Sequence, residues 1–225
     1  MYKICLALIG LCFCANTMAQ KRDLLPQEIS SFGAINIVSS NAERLDGDYY
    51  FAEADKFERK GDMNQALTLF GKAAFEYNTA HNYNSFGQAL IRMSNVHLLM
   101  NHYKEAEQVI LNVALKNYSK IGSRSGQMLA YNQLGKVYYN ANKLTESLWF
   151  YTQQGILARQ IKDNPAYIDS MLGIIFVKIK KKQYGLALKD VATAELFAAN
   201  TNTTDYTTHF LYTRSVIDEN AGEKK

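Results

Sequence analysis

The stretch YNQLGKVYYNANKLTESLWFY, residues 131–151, decides the fold. Tyr131, Leu134, Gly135 and Tyr138 fall on one face of an α-helix, because residues three or four apart lie above one another. After a polar break at Asn140–Lys143, the residues Leu144, Ser147 and Tyr151 take up the same spacing, so a second helix follows the first. Gly135 and Ser147 offer little bulk and let two helices approach. Tyr138 and Tyr151 fill the space beside the close contact, as a dense interior requires.

Working outward, the second half of this pattern recurs four times. The copies are Met63–Ala66–Phe70–Ala73, Tyr103–Ala106–Ile110–Val113, Leu144–Ser147–Tyr151–Gln154 and Tyr184–Ala187–Val191–Ala194. The small residues of the second slot stand at 66, 106, 147 and 187, so the steps are 40, 41 and 40. A fixed period between 20 and 50 residues marks a stacked-repeat architecture. Short polar turns are expected inside each pair of helices, at Arg59–Asp62, Asn101–His102, Asn140–Lys143 and Lys180–Gln183. Longer polar loops are expected between pairs, at Thr79–Asn84, Lys120–Gly126, Lys162–Pro165 and Asn200–Asp205, where Asn, Gly, Thr and Asp punctuate helices. Pro165 suits a helix start.

The arrangement resembles the tetratricopeptide repeat. The third unit carries the likeness through Tyr131, Leu134, Gly135, Tyr138, Leu144, Ser147 and Tyr151, and the first adds Ala54, Phe57, Gly61, Ala66, Phe70 and Ala73. The step is longer than that repeat's usual ~34 residues. It is similar to the lengthened variety found in bacterial peptide-sensing regulators and in the extracytoplasmic halves of some sensor kinases. The fourth unit departs from the pattern. Gly173 lies two places early and Lys178 holds a slot that is usually aromatic, so a distorted or capping unit is expected there.

The resemblance implies an all-α solenoid of four helical hairpins over residues 46–199, closed by end-capping helices. The structural repeat positions are Ala66, Phe70, Ala106, Gly135, Tyr138, Ser147, Tyr184 and Ala187. It also implies a concave groove, lined by the first helix of each pair, that takes a protein or peptide. Its groove positions map to Phe51 and Asp55; Ile91, Asn95 and Leu98; Asn132, Lys136 and Tyr139; and Leu172, Phe176 and Ile179. The candidate peptide-binding set is Asn95, Asn132, Lys136, Tyr139, Ile91 and Phe176. An asparagine amide both donates and accepts, so Asn95 and Asn132 suit the backbone of an extended peptide. The family's carboxylate clamp is not matched.

The ends read differently. Residues 1–19 have the form of a secretory signal peptide: Lys3, an apolar core from Ile4 to Ala15, then the small-residue site Thr17–Met18–Ala19 before Gln20. Cys12 follows Leu11 and Cys14 follows Phe13, which argues against lipid anchoring. The expected product is therefore periplasmic or extracellular. Residues 20–45 suit either a capping helix, with Ile29, Phe32, Ile35 and Val38 inward, or a partner-binding arm. Within residues 200–219, Tyr206–Glu219 is expected to form a C-terminal capping helix that covers the fourth unit with Phe210, Leu211, Val216 and Ile217. The tail 220–225 is polar and is expected to fray.

Little points to chemistry. All three cysteines, Cys5, Cys12 and Cys14, lie in the expected leader. No thiol nucleophile, disulfide or sulfur ligand is then left after cleavage. His97 and His102 are five apart, a spacing that would turn them to different sides of one helix, and His97 shares a slot with Phe57 and Tyr138. No metal site or cofactor is expected. Glu105 and Glu107 bracket Ala106 and read as solvated charges. The net charge is a mild +4, with its densest run at the turn Lys180–Lys182, too little for a nucleic-acid surface. No later segment approaches the ~20 apolar residues of a membrane helix. The expectation is an exported scaffold or adaptor, not an enzyme. Two alternatives stay open: a sensor component of an envelope pathway, or a structural subunit of an envelope assembly.

Overall fold

The structure, a computed structural model, describes residues 46–222. The expected signal peptide, the segment 20–45 and residues 223–225 lie outside the described residues. Four hairpins follow one another: α1 (Gly47–Lys60) with α2 (Met63–Thr79); α3 (Tyr83–Leu99) with α4; α5 (Arg124–Asn140) with α6 (Leu144–Gln160); and α7 (Asn164–Lys180) with α8 (Tyr184–Asn200). Helix α4 is a continuous rod in three pieces, Tyr103–Gln108, a π turn Val109–Ala114, and Leu115–Lys120. A short 3-10 turn, Thr204–Tyr206, leads into α9 (Thr207–Gly222). Among the described residues there is no strand.

The period follows from two lengths. Helices α2, α3, α5, α6, α7 and α8 are 17 residues each. Every connector from Ala80 onward is three residues long, so the loops between pairs are no longer than those within them. Thr79, Asn84, Gly126, Asn164 and Asn200, which suggest longer loops, belong to helix ends. Each connector turns in the same way. Its middle residue is left-handed: His81, Asn101, Gly122, Asn142, Lys162, Lys182 and Asn202 all have φ between 53° and 69°. Glycine, asparagine and histidine adopt this conformation more readily than lysine does. The third connector residue caps the next helix. Asn82, Ser123 and Asp163 accept a hydrogen bond from the backbone N–H three residues on, as Asp62 does for α2, while His102, Lys143 and Gln183 make no such bond.

The 41-residue step has a structural cause. The three six-residue pieces of α4 make it one residue longer than its neighbours. In α2, α6 and α8 the core face repeats at offsets of four, three and four: Ala66–Phe70–Ala73–Tyr77, Ser147–Tyr151–Gln154–Ala158 and Ala187–Val191–Ala194–Ala198, all buried. In α4 the buried residues are Ala106, Ile110, Ala114 and Tyr118, at offsets of four throughout. Ala114 takes the slot that the sequence pattern assigns to Val113, which is only half-buried. An added residue would rotate everything after it by ~100° in an α-helix. The π turn absorbs that residue and returns Tyr118 to the core face.

Packing across each hairpin is a matter of paired sizes. At equivalent places on the two helices stand Ala54 with Phe70, Ser94 with Ile110, Gly135 with Tyr151, and Ile175 with Val191. Where the second helix brings a large residue, the first brings a small one. A Cβ on Gly135 would stand 2.6 Å from Tyr151 Cε1, and one on Gly173 would stand 2.5 Å from Tyr151 Cδ1. The Tyr151 ring is therefore slotted between the backbones of α5 and α7. This explains the displaced glycine of the fourth unit: Gly173 accommodates the preceding hairpin's tyrosine, and the unit itself is as regular as the others. Fully burying a side chain such as Phe70, Ile110 or Val191 contributes ~1.5–3 kcal/mol.

Helix α9 closes the array. Phe210, Thr213 and Ile217 are buried against the cluster that includes Ile175, Val191, Ala194 and Ala198. Leu211, read from the sequence as inward, is 62% exposed. The next helix of an array would rest on the α9 places that correspond to Ile175 and Ile179 of α7. Here they are Ser215 and Glu219, both exposed. That polar outer face is what an end unit needs. Asn220, read as the start of a fraying tail, is helical and donates its amide to the Val216 carbonyl at 2.7 Å.

Candidate functional site

The first helices lie against one another along the array, and polar contacts mark the seams. Between α1 and α3, Arg92 Nη2 stands 2.5 Å from Glu58 Oε2 and 2.7 Å from Asp55 Oδ1. Asn95 Nδ2 donates to Glu58 Oε1 at 3.0 Å. The Arg92 guanidinium lies 5.1 Å from the Phe70 ring centre and 5.9 Å from that of Phe51. Between α3 and α5, Gln133 Nε2 donates to the buried Ser94 hydroxyl at 3.4 Å, and Ser94 donates to the Ala106 carbonyl at 3.0 Å. Between α5 and α7, Lys180 Nζ donates to the Tyr139 carbonyl at 2.8 Å and lies 4.4 Å from the Tyr139 ring centre. Between α7 and the 3-10 turn that leads into α9, the Tyr206 hydroxyl donates to Asp169 Oδ1 at 2.7 Å.

The proposed binding residues therefore share one row, with different freedom. Asn95 spends one amide hydrogen on Glu58. Asn132 Nδ2 donates to Gln154 Oε1 at 3.0 Å, and Gln154 Nε2 donates onward to the Ala166 carbonyl at 3.1 Å. That relay explains a buried glutamine in a slot that is small in two other units. Each asparagine keeps its Oδ1 and a second N–H for a ligand. Lys136 is exposed and makes no ion pair among the described residues. Tyr139 is half-buried, and burial raises its hydroxyl pKa. Ile91 is half-buried, and Phe176 packs partly against the cluster of the last hairpin. Asp55 is held by Arg92, while Leu172 and Ile179 are buried.

The sequence reading missed three apolar residues on the same row. Leu99 is 53% exposed, Leu129 46% and Tyr212 63%. Leu129 stands three and seven places before Asn132 and Lys136, and Leu99 stands four after Asn95, so helical phase was sufficient to find them.

Outside the row, His97 and His102 come together rather than apart. The connector Met100–His102 folds α4 back on α3, and the two rings lie 6.1 Å apart. His97 Nδ1 is buried with no hydrogen-bond partner. Burial lowers its pKa, the neighbouring His102 adds to the effect, and Glu105 opposes it. Glu107 is not simply solvated: it is half-buried near Tyr138, whose hydroxyl is pushed up to about 12 by burial first and by that carboxylate second. Lys178 reaches across to Asp190 of α8, so an ion pair stands where Phe57 and Tyr138 stand in other units. An open cleft of about 720 Å³ runs between the start of α4 and the end of α5, lined by His102, Glu105, Glu107, Tyr138 and Lys143. Among the described residues no three His, Cys, Asp or Glu side chains are placed to hold a metal ion. No described helix is long and apolar enough to cross a membrane.

The architecture has a solved counterpart. The chain is similar to BtubC (BKLC) from P. vanneervenii, with a TM-score of 0.61 and 15% identity over 72% of this chain and 68% of that one. No protein-family model matches the sequence, and no curated protein matches it. The fold is an all-α helical-hairpin solenoid of tetratricopeptide type. At this identity the likeness concerns the fold alone.

Proposed function

We propose that the protein is an exported, non-enzymatic scaffold that binds a protein or peptide along the row formed by its first helices. The observation that carries this reading is the state of that row. Leu99, Leu129 and Tyr212 are exposed, Lys136 makes no ion pair among the described residues, and Asn95 and Asn132 each keep an unused donor and acceptor. Such a mixture suits an extended chain. Apolar side chains have surfaces to cover, and backbone amides have partners that do not depend on sequence. Ile91, Tyr139 and Phe176 add half-buried apolar floor. A stacked-repeat fold presents such a surface by construction, because each unit covers only its neighbours. Export rests on the leader pattern of residues 1–19.

The test uses substitutions at exposed positions, so that folding is preserved. Leu129→Asp with Lys136→Ala should reduce a partner captured from the native host at least tenfold. Ile156→Asp with Lys116→Ala, on the second helices, should leave capture unchanged. Thermal melting of both variants should match the parent. The opposite pattern would place the interaction on the second helices and favour a structural subunit of an assembly.

A further inference from the structure

Two seams between first helices pair a cation with an aromatic ring, and they differ in one respect. At the first, Arg92 lies over Phe70 and Phe51 and is neutralised by Asp55 and Glu58. At the third, Lys180 lies 4.4 Å from the Tyr139 ring centre, and Lys136 stands one turn from Tyr139 on the same helix. Both lysines are exposed, and neither has a carboxylate within ion-pairing distance among the described residues. Lys180 is bound only to a backbone carbonyl, that of Tyr139. The first seam is thus filled by the protein's own acids. The third has the cations and the aromatic floor but no acid.

From this we infer that the partner is an acidic segment whose carboxylate docks between Lys136 and Lys180, with an adjacent apolar side chain on Tyr139 and Phe176. The inference rests on the proposal that the first-helix row binds a peptide, and it assigns the specificity to the half of the row made by α5, α7 and α9. There an incoming carboxylate takes the place that Asp55 and Glu58 occupy at the first seam. An ammonium group over a half-buried ring, with a second lysine one turn along the helix that carries the ring, favours a carboxylate more than either would alone in open water, where an exposed pair contributes little. Leu129 and Tyr212 extend the apolar surface on either side. At the α1–α3 seam Arg92 is already neutralised by Asp55 and Glu58.

The probe is a random dodecapeptide library displayed on phage and selected against the full-length protein after leader removal. Selected peptides should carry Asp or Glu beside Leu, Ile, Phe or Tyr. Synthetic versions should lose at least tenfold in affinity against Lys136→Glu/Lys180→Glu, and selection against that variant should return Lys- or Arg-containing peptides. Lys116→Glu, on a second helix, controls for net charge and should change nothing. Suppose instead that the peptides lack acids, or ignore Lys136 and Lys180, yet weaken with Leu129→Asp. Then the acidic specificity is wrong and the binding row stands. Peptides that ignore both sets of substitutions, or a library that yields none, overturn the row as well.

Discussion

Replacing Gly135 with alanine puts the packing of the Tyr151 ring to a direct test. In an ordinary helix interior the change is favourable by about 0.5–1 kcal/mol, because alanine loses less backbone entropy on folding. Here the new Cβ would stand 2.6 Å from the ring, and the ring cannot retreat, because Gly173 of α7 faces it from the other side. Overpacking of this kind costs roughly 1–3 kcal/mol. The expected net loss for Gly135→Ala is therefore about 0.5–2 kcal/mol, the difference between those two effects. The sign should reverse when the ring is removed. Isoleucine fills the same slot in α4 at Ile110, so Tyr151→Ile is a tolerable background. In that background Gly135→Ala should stabilise by about 0.5–1 kcal/mol. Tyr151→Phe keeps the ring and should keep the loss. Urea unfolding followed by circular dichroism at 222 nm reads all three comparisons. An equal loss in the tyrosine and isoleucine backgrounds would refute the size-pairing argument, since the obstacle would then lie elsewhere.

Removing Asn112 should convert the π turn of α4 to ordinary helix and bring Ile110, Ala114 and Tyr118 to the spacing of the other units, leaving the helical circular dichroism intact. Removing Gln153 from α6, which has no spare residue, should rotate Ala158 by ~100° out of the core and lower the melting temperature sharply. Gln183→Asp should raise stability by about 0.5–2 kcal/mol, because α8 lacks the side-chain cap that Asp62 and Asp163 supply to α2 and α7; an unchanged urea midpoint would count against it. The lowered pKa of His97 has a definite sign. Its neutral form is favoured in the folded state, so its contribution is present above the unfolded pKa of ~6.5 and is lost as pH falls through the folded value. His97→Phe, the residue type at the equivalent Phe57, should make stability less steep between pH 7 and pH 5, and an identical slope in both proteins would remove burial of His97 as the cause.

The hairpin order was legible in the sequence because small residues at Ala66, Ala106, Ser147 and Ala187 are forced by close helix approach and recur in phase. The π turn was legible too, in the unbroken four-residue spacing of Ala106, Ile110, Ala114 and Tyr118, but a fixed three-four-three template running from Tyr103 pointed to Val113 instead. Connector lengths were misjudged because Asn, Thr and Gly serve both as loop residues and as the last and first residues of capped helices. The meeting of His97 and His102 was hidden for a related reason: spacing arguments hold within one helix, and a left-handed Asn101 ends it between them. On the binding row, helical phase located Asn95, Asn132 and Lys136. It gave no sign that Glu58 and Gln154 would take up the asparagine amides, because those partners come from other helices at separations of 37 and 22 residues.

Site-specific photo-crosslinking from both faces of the array tests the binding row most directly. A benzophenone side chain placed at Leu129 or Tyr212, on the first-helix row, should crosslink the native partner in the living host. The same group at Ile156 or Leu196, equally exposed on second helices, should not. Crosslinks confined to positions 156 and 196 would contradict the account and move the interaction to the opposite face.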